Sequence, residues 1–272
     1  MSDNSCCCGA DPDQSCGCKS SVGSSSVEDA VKSSYERVWA GQKENKSKKS
    51  ASPSLAHEAL LKELKPTKGM KVLDIGSGNG ETVLTIAEKV RPEGKAVGID
   101  FTHSAVDLAK KKASQRKLDK VAEFHQGNAL ELPFTDNSFD AVISECVVCL
   151  IQDKQKAINE KVRVLKPDGR VIMHDVITWA PMPEVMRKNE KLYCGCIGGA
   201  VSLSEYVEMM KKAGLTDIKT VDLTKNTVQM LNTSIIANGL ALKDDKEFQD
   251  LMNFVRKGGI GYALLAGTKR RN

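Results

Sequence analysis

The chain has 272 residues, 40% of them hydrophobic and only 4% aromatic, which suffices for one large α/β domain with an aliphatic core, or for such a domain with a small annex. The net charge of +5 is modest, and the densest basic patches, Lys43 to Lys49 and Lys269 to Arg271, lack interleaved aromatic residues, so we expect no nucleic-acid partner. No apolar run approaches the ~20 residues of a membrane span, and the first residues do not form a secretory signal. We therefore expect a cytoplasmic monomer without a membrane partner.

Residues 1–26 form a cysteine-rich tail that is predicted to be disordered, since Val22 is its one aliphatic residue larger than alanine. Because cytoplasmic thiols stay reduced, the odd total of nine cysteines indicates soft-metal or redox chemistry rather than disulfides. The tail either chelates a thiophilic ion or carries incidental thiols, and its spacing does not match the cysteine pairs of structural zinc sites. The tail cysteines are Cys6, Cys7, Cys8, Cys16 and Cys18, and the others are Cys146, Cys149, Cys194 and Cys196.

Residues 27–70 are predicted to form an N-terminal helical cap. Apolar residues recur at helical spacing on both sides of a polar stretch, 41–53, that is rich in lysine and serine. Two aromatic residues of this cap, Tyr35 and Trp39, either close over a bound ligand or pack against the rest of the protein.

From residue 71 to 176, strands and helices alternate, which is typical of a parallel sheet with helices on both faces. The segment Leu165 to Gly169 is predicted to be a turn before the last of these strands. Residues 177–272 continue with a loop rich in proline and glycine up to residue 200, a helix near 203–213 and two strands that complete the sheet. The predicted strands lie near 71–75, 95–99, 121–126, 139–144, 169–176, 217–223 and 260–267, and the core helices near 81–90, 103–117 and 153–165.

The segment Val72 to Gly80 combines a short buried strand with a turn containing Gly76, Gly78 and Gly80. Such a turn lets a ligand approach the backbone closely at the N-terminus of the next helix. A dinucleotide fingerprint would need glycine at position 81, which is Glu81. The pattern D-x-G-x-G-x-G instead resembles motif I of class I S-adenosylmethionine (SAM) methyltransferases. A strand-turn-helix unit without a cofactor, or with another nucleotide, is the alternative.

This resemblance implies SAM as the cofactor and a Rossmann-like class I methyltransferase fold with a C-terminal substrate-binding extension. Asp74 is expected to support the glycine turn, and Asp100, at the end of the second strand, to accept hydrogen bonds from the ribose hydroxyls. Asn128 either meets the adenine edge or only forms a turn. The expected cofactor-binding residues are Asp74, Gly76, Ser77, Gly78, Gly80, Asp100, Phe101, Asn128, Ala129 and Glu145.

Two cysteine segments resemble the arsenite methyltransferase family more specifically, within a match from about residue 71 to 215. They are Ser144-Glu-Cys-Val-Val-Cys-Leu-Ile-Gln-Asp-Lys154 and Cys196-Ile-Gly-Gly-Ala-Val-Ser-Leu-Ser-Glu-Tyr206. The resemblance implies that Cys146 and Cys196 hold As(III) while SAM methylates it, giving methylated arsenicals in arsenic detoxification. It also implies a thiol reductant as co-substrate, such as glutathione or thioredoxin.

The chemistry fits the placement of Cys146, which ends the fourth strand at the sheet edge that carries the glycine turn. Soft thiolates select thiophilic centres, and the As(III) lone pair is a nucleophile that needs no general base. Members of the family with three binding thiols carry one between the N-terminal helix and motif I, whereas residues 27–70 here contain no cysteine. The third ligand is therefore open, with Cys194 the first candidate and Cys149 the second. Glu145 also stands where the family often has asparagine.

Two other functions remain open at this point. The first is a methyltransferase of a small organic acceptor such as a quinone, in which case Cys146 and Cys196 are dispensable. The second is a non-enzymatic protein that sequesters metalloids through its tail, which predicts binding without consumption of SAM.

Overall fold

The computed structural model describes residues 26–41, 55–225 and 246–271. The cysteine-rich tail and most of the polar stretch 41–53 lie outside the described residues. The predictions of tail disorder and of ion capture by the tail therefore stay predictions.

One eight-stranded sheet organises the described residues, with the strand order β3-β2-β1-β4-β5-β8-β7 and with β6 beside β5. The strands from β1 to β5 pair in parallel, and β8 runs antiparallel to both β5 and β7. The alternation of strands and helices therefore predicted the fold class correctly. The strands are β1 Lys71–Ile75, β2 Lys95–Asp100, β3 Ala122–Gln126, β4 Phe139–Glu145, β5 Leu165–Thr178, β6 Val201–Ser202, β7 Leu215–Asp222 and β8 Ile260–Lys269.

The helices begin where the sequence supplies a cap or a turn. Ser26 and Asp29 form a capping box at the start of α1, and α3 follows directly on Gly80 of the glycine turn. The described helices are α1 Val27–Ala40, α2 Leu55–Leu64, α3 Glu81–Val90, α4 His103–Gln115, α5 Lys154–Val164, α6 Glu184–Arg187, α7 Glu190–Cys194, α8 Leu203–Lys212 and α9 Lys246–Arg256. None of these described helices is both long and apolar enough to cross a membrane.

Alternate residues of the central strands face two different cores. Val72 and Ile143 belong to the core covered by α3, whereas Leu73 and Val142 belong to the core that includes α5 and α8. The sheet is therefore buried on both faces, as parallel sheets usually are.

Two local predictions differ from the structure. The predicted turn from Leu165 to Gly169 is an irregularity inside β5, where the register shifts between the pairs Phe139–Leu165 and Ala141–Arg170. Asp168 has a φ of 62° there, so the extra residues are absorbed within the strand. The predicted loop 177–200 contains two short helices, α6 and α7.

Candidate active site

A cavity lies at the carboxyl ends of β1, β2 and β4, where α1 covers the sheet edge. Its wall contains most of the predicted cofactor residues, together with apolar neighbours that the sequence did not single out, such as Ile75, Ile99 and Leu150. The predicted residues that line it are Gly76, Gly78, Asp100, Phe101, Asn128, Ala129, Glu145 and Cys146.

The glycine turn is held by the end of β2. The Gly76 and Ser77 N–H groups donate to the Ile99 carbonyl at 2.7 and 3.1 Å, and the Gly78 N–H donates to Asp100 Oδ2 at 2.8 Å. Gly76 has a φ of 73°, and a Cβ there would lie 2.3 Å from the Val147 side chain. Only glycine therefore fits this backbone conformation against the segment that follows β4.

Asp100, and not Asp74, supports the glycine turn. Asp100 Oδ1 also accepts hydrogen bonds from the Thr102 N–H and hydroxyl, at 2.9 and 2.7 Å. A carboxylate has about four acceptor positions, so Asp100 retains roughly one for a ligand. Asp74 lies buried behind the cavity wall, its Oδ1 without a hydrogen-bond partner among the described residues, and the prediction that it supports the turn is wrong.

Two other predicted residues do not line the cavity either. Ser77 is buried under the turn, and a Cβ on Gly98 would lie 2.6 Å from its hydroxyl. Gly80 caps α3 with a φ of 81°, and a Cβ there would lie 2.8 Å from Ala109 and Phe124. Both residues shape the turn from behind.

Helix α1 forms the roof of the cavity. Tyr35 and Trp39 both line it, so these aromatic residues do more than pack against the core. On the same helix, Lys32 places its Nζ 4.8 Å from the centre of the Phe101 ring, an arrangement that favours a cation–π contact. A ligand in this cavity would thus be covered by the predicted N-terminal cap, with Tyr35 and Trp39 placed as the first of their two alternatives requires.

Asn128 lines the cavity and also forms a turn. Its Oδ1 accepts the Leu130 N–H at 2.9 Å, which leaves the backbone of Gly127 to Ala129 along the cavity wall. Asn128 therefore forms the expected turn within the cavity wall, and its contact with an adenine ring stays a prediction.

Glu145, at the end of β4, is the centre of a buried polar network. Its Oε2 contacts His174 Nε2 at 2.7 Å, and its Oε1 accepts from the Thr82 hydroxyl at 2.6 Å and contacts His57 Nδ1 at 3.3 Å. Burial alone would raise the pKa of Glu145, but hydrogen bonds from His174 and His57 outweigh it and hold that pKa below its usual value. The hydrogen bond between His57 and Glu145 also raises the pKa of His57. Glu145 is thus kept as a carboxylate at the cavity wall.

The network continues to the thiol of Cys146. His174 Nδ1 contacts the Tyr262 hydroxyl at 2.6 Å, and that hydroxyl also contacts Cys146 Sγ. The Tyr262 hydroxyl thus bridges Cys146 and His174, and His174 Nε2–H donates to the Glu145 carboxylate, which can only accept. His174 and Tyr262 were missed from the sequence, although a histidine within the apolar strand β5 was a detectable signal.

Three cysteines lie close together beside the cavity. Cys146 follows β4 with a φ of 54° and Cys196 follows α7 with a φ of 67°, conformations that residues with a side chain adopt at a cost. Cys196 Sγ lies 3.8 Å from the Cys146 carbonyl oxygen and 3.6 Å from the Tyr35 hydroxyl. Cys149 stands in a short 3₁₀ turn, Val148–Leu150, directly after Cys146.

The three thiols are electrostatically unequal. Hydrogen bonds from Cys146 and Cys149 hold the pKa of Cys196 well below its usual value. The contact with Cys196, together with burial, raises the pKa of Cys146, and burial followed by the Cys196 contact raises that of Cys149. A thiolate at Cys196 is therefore stabilised by the two neighbouring thiol donors.

Cys194 does not belong to this cluster. It ends α7, where burial raises the pKa of its thiol, and the side chains that further influence this pKa are Glu190, Ser34 and Arg37 rather than another cysteine. Cys194 was the first candidate for a third thiol, and the structure instead brings Cys149 to Cys196. All four described cysteines are free thiols, and no three histidine, cysteine or acidic side chains in the described ranges are already arranged around one metal position.

A family model described as a methyltransferase domain matches residues 66–214, more than half of the chain. The chain therefore belongs to this methyltransferase domain family. Among solved structures, the phosphoethanolamine N-methyltransferase 2 of Haemonchus contortus in complex with S-adenosyl-L-methionine matches with a TM-score of 0.67 at 20% identity, over 92% of this chain and 61% of that one. The fold is the Rossmann-like fold of class I SAM-dependent methyltransferases.

Curated relatives resemble the chain more closely in sequence. An arsenite methyltransferase of Halobacterium salinarum is 33% identical over 159 residues, which cover 58% of this chain and 40% of that protein. A demethylmenaquinone methyltransferase of Lactobacillus johnsonii is 39% identical over 112 residues, covering 41% of this chain and 46% of that protein. The matches thus span less than half the length of these relatives. The resemblance of this chain to arsenite methyltransferases is confirmed, but the chain also resembles demethylmenaquinone methyltransferases.

Proposed function

We propose that the protein is an arsenite methyltransferase, which transfers methyl groups from SAM to As(III) held by cysteine thiolates. One observation carries this proposal. Cys146, a free thiol in the wall of the cavity, lies beside a second free thiol, Cys196, although fifty residues separate them. The Cys196 sulfur is 3.8 Å from the Cys146 carbonyl oxygen. Pairs of thiolates bind soft, thiophilic centres in preference to hard ones.

The cavity fits SAM on the observations of this structure. Gly76 and Gly78 expose their backbone to the cavity at positions where a side chain would clash with neighbouring residues. Asp100 keeps one hydrogen-bond acceptor position at the cavity wall. These residues would hold the cofactor, together with Asn128 and Phe101, which line the same cavity. When bound, SAM supplies an electrophilic methyl group attached to a sulfonium.

The substrate itself provides the nucleophile. As(III) bound by thiolates keeps a lone pair, which would form the bond to the methyl group that SAM supplies, with the electron pair of the donor's S–C bond left on its sulfur. No proton has to be removed, so no general base is required. Arsenic is formally oxidised by two electrons in this step. A thiol reductant such as glutathione or thioredoxin must return them before a further methyl group is added.

The residues around Cys146 would act mainly by positioning the metalloid. The Cys146 N–H donates to the His174 carbonyl at 3.0 Å, and its sulfur contacts Tyr262, so the thiol is fixed at the strand end. Holding two reactants in a productive orientation is worth up to roughly 7–11 kcal/mol of a reaction barrier. The roof formed by α1 would exclude water from the same cavity.

A second candidate is methylation of a small organic acceptor such as a quinone. The match to a demethylmenaquinone methyltransferase and the apolar side chains of Val31, Leu150 and Ile151 in the cavity wall favour it. In that case the thiols have no part in the reaction. A non-enzymatic metalloid-binding protein would bind As(III) without consuming SAM.

The deciding experiment incubates the purified protein with SAM, a thiol and As(III), and separates the arsenic species by chromatography. We expect methylated arsenicals, and at least a hundredfold loss of their formation in Cys146→Ser and in Cys196→Ser with SAM affinity nearly unchanged. Cys194→Ser is the matched control, since Cys194 lies on the same segment outside the thiol cluster. Near-full activity of Cys146→Ser would overturn the thiolate mechanism and favour the organic acceptor.

A further inference from the structure

We propose that Cys149 is the third thiolate of the arsenic site, so that Cys146, Cys149 and Cys196 together enclose As(III). This inference rests on the proposed function, because it names the groups that complete the same substrate site. It assigns a ligand role to a residue that sequence alone ranked below Cys194.

The segment after β4 fixes Cys149 relative to Cys146. Cys149 lies three residues further on, in the 3₁₀ turn, and its N–H donates to Asp175 Oδ2 at 3.1 Å. The two cysteines are thus held by neighbouring residues of one strand, since Cys146 is bonded to the carbonyl of His174.

The Cys196 segment is built to approach this turn closely. A Cβ on Gly199 would lie only 1.9 Å from the Cys149 carbonyl oxygen, so any other residue there would push the segment away. The Cys196 sulfur lies 3.8 Å from the Cys146 carbonyl oxygen on the same side. Glycine at position 199 therefore lets the segment that carries Cys196 approach the turn that carries Cys149.

Cys149 differs from an inert core cysteine in its surroundings. It is fully buried, but its neighbours are the Asp175 carboxylate and the Cys196 thiol rather than apolar side chains alone. Burial of a thiol beside polar groups of this kind is typical of a site with a function rather than of simple packing.

Trivalent arsenic forms three bonds, and residues 27–70 contain no cysteine that supplies a third sulfur. Cys149 provides it from within the segment that already carries Cys146. In the binding step, three As–O bonds of As(OH)₃ are replaced by three As–S bonds, and each thiol proton leaves with a hydroxide as water. No oxidant or reductant is needed.

Binding must also draw the thiols together. No three ligating side chains of the described residues already surround one position, although both Cys146 and Cys149 interact with Cys196. We therefore expect the segment carrying Cys196 to close on the fixed pair when arsenic arrives.

The test measures the number of sulfur atoms around bound arsenic by X-ray absorption. It uses the full chain with the five tail cysteines replaced by serine, in buffer with a phosphine reductant, so that neither the tail nor free thiol supplies sulfur. Cys149→Ser and Cys149→Ala are compared with Cys194→Ser, the matched control. Circular dichroism and melting temperature identify any variant that fails to fold, and the better-folded of the two Cys149 variants is used.

We expect three sulfur neighbours in the parent protein and in Cys194→Ser, and two sulfurs with one oxygen in the Cys149 variant, with at least tenfold weaker As(III) binding. Three sulfurs in a folded Cys149 variant, or a lost sulfur in Cys194→Ser, would overturn the inference while leaving the proposed function intact. Three sulfurs in the parent without any methylation would instead support the site and overturn the proposed function. A parent protein that binds no As(III) would overturn both.

Discussion

The indole of Trp39 lies against the backbone of Gly78: a Cβ built on Gly78 would be 2.7 Å from Trp39 Cζ2. The first helix of the described chain therefore rests on the glycine turn of the cofactor cavity. Because Gly78 also has a φ of 49°, a side chain there is disfavoured twice, by strain and by this contact.

Gly78→Ala is expected to weaken SAM binding at least tenfold in titration calorimetry, because the new methyl group displaces either the turn or the roof. Gly69→Ala is the matched control, since Gly69 has a φ of 85° but nothing within 4 Å of a Cβ. The double variant Trp39→Ala, Gly78→Ala should recover part of the lost affinity. Equal affinity of Gly78→Ala and the wild type would show that the turn does not hold SAM.

Asp100→Asn is expected to weaken SAM binding by about 1–3 kcal/mol, because the amide cannot accept hydrogen bonds on both sides from Gly78, Thr102 and a ribose hydroxyl. Thr102→Val removes one hydrogen-bond donor to Asp100 Oδ1 and leaves both carboxylate oxygens in place. It should therefore lower the melting temperature with little change in SAM affinity. If Asp100→Asn binds SAM as tightly as the wild type, Asp100 only supports the turn.

Tyr262→Phe removes the hydroxyl between Cys146 and His174. We expect arsenic methylation to slow about fivefold with SAM affinity unchanged, since a hydrogen bond of about 1 kcal/mol then no longer orients the thiol. A double-mutant cycle with His174→Gln tests whether the contacts from Cys146 to Tyr262 and from Tyr262 to His174 act together. The two losses should be clearly less than additive, and independent losses would mean that the contacts act separately.

Glu63 links α2 to the sheet through Lys219, at 2.5 Å, and Arg170. The hydrogen bond from Lys219, with a smaller one from Arg170, lowers the pKa of Glu63 despite some opposing burial. A depressed carboxyl pKa stabilises the fold above the unfolded value, near 4.5, and this contribution is lost as the pH falls through the folded value.

Glu63→Gln should therefore reduce the free energy of unfolding by about 1 kcal/mol at pH 7, since Lys219 is largely exposed and screened. In urea denaturation at decreasing pH, the difference between variant and wild type should begin to shrink near pH 4.5 and vanish once the pH is below the folded pKa of Glu63. Glu184→Gln, which removes a fully surface-exposed helical ion pair, is the control with little expected effect. A constant difference at all pH values would exclude an ionic origin.

Patterns along the chain predicted local elements well and contacts between distant elements poorly. β1 and α3 have the predicted bounds, because an apolar strand, a glycine turn and an apolar helical face are all local signals. Asp74 and Asp100 both end up near the turn, and nothing local indicates which carboxylate meets the Gly78 N–H.

The thiol cluster shows the same limit. Cys194 and Cys196 are two residues apart, but α7 ends between them and the following turn sends only Cys196 toward Cys146. Tyr262 reaches Cys146 only because β8 pairs antiparallel with β5 in a particular register, which depends on packing across the whole sheet.

Successive residues of β5 hold the two halves of the segment Cys146 to Cys149, His174 through its carbonyl and Asp175 through its carboxylate. Cys196 has no such attachment to the strand and reaches the site from a separate segment. Methylarsenic(III) has only two positions left for sulfur, so one thiolate must dissociate after the first methyl group is added. Under the proposed chemistry the anchored pair keeps the arsenic after the first methyl transfer and Cys196 is released, so the position of its segment would distinguish unmethylated from monomethylated arsenic.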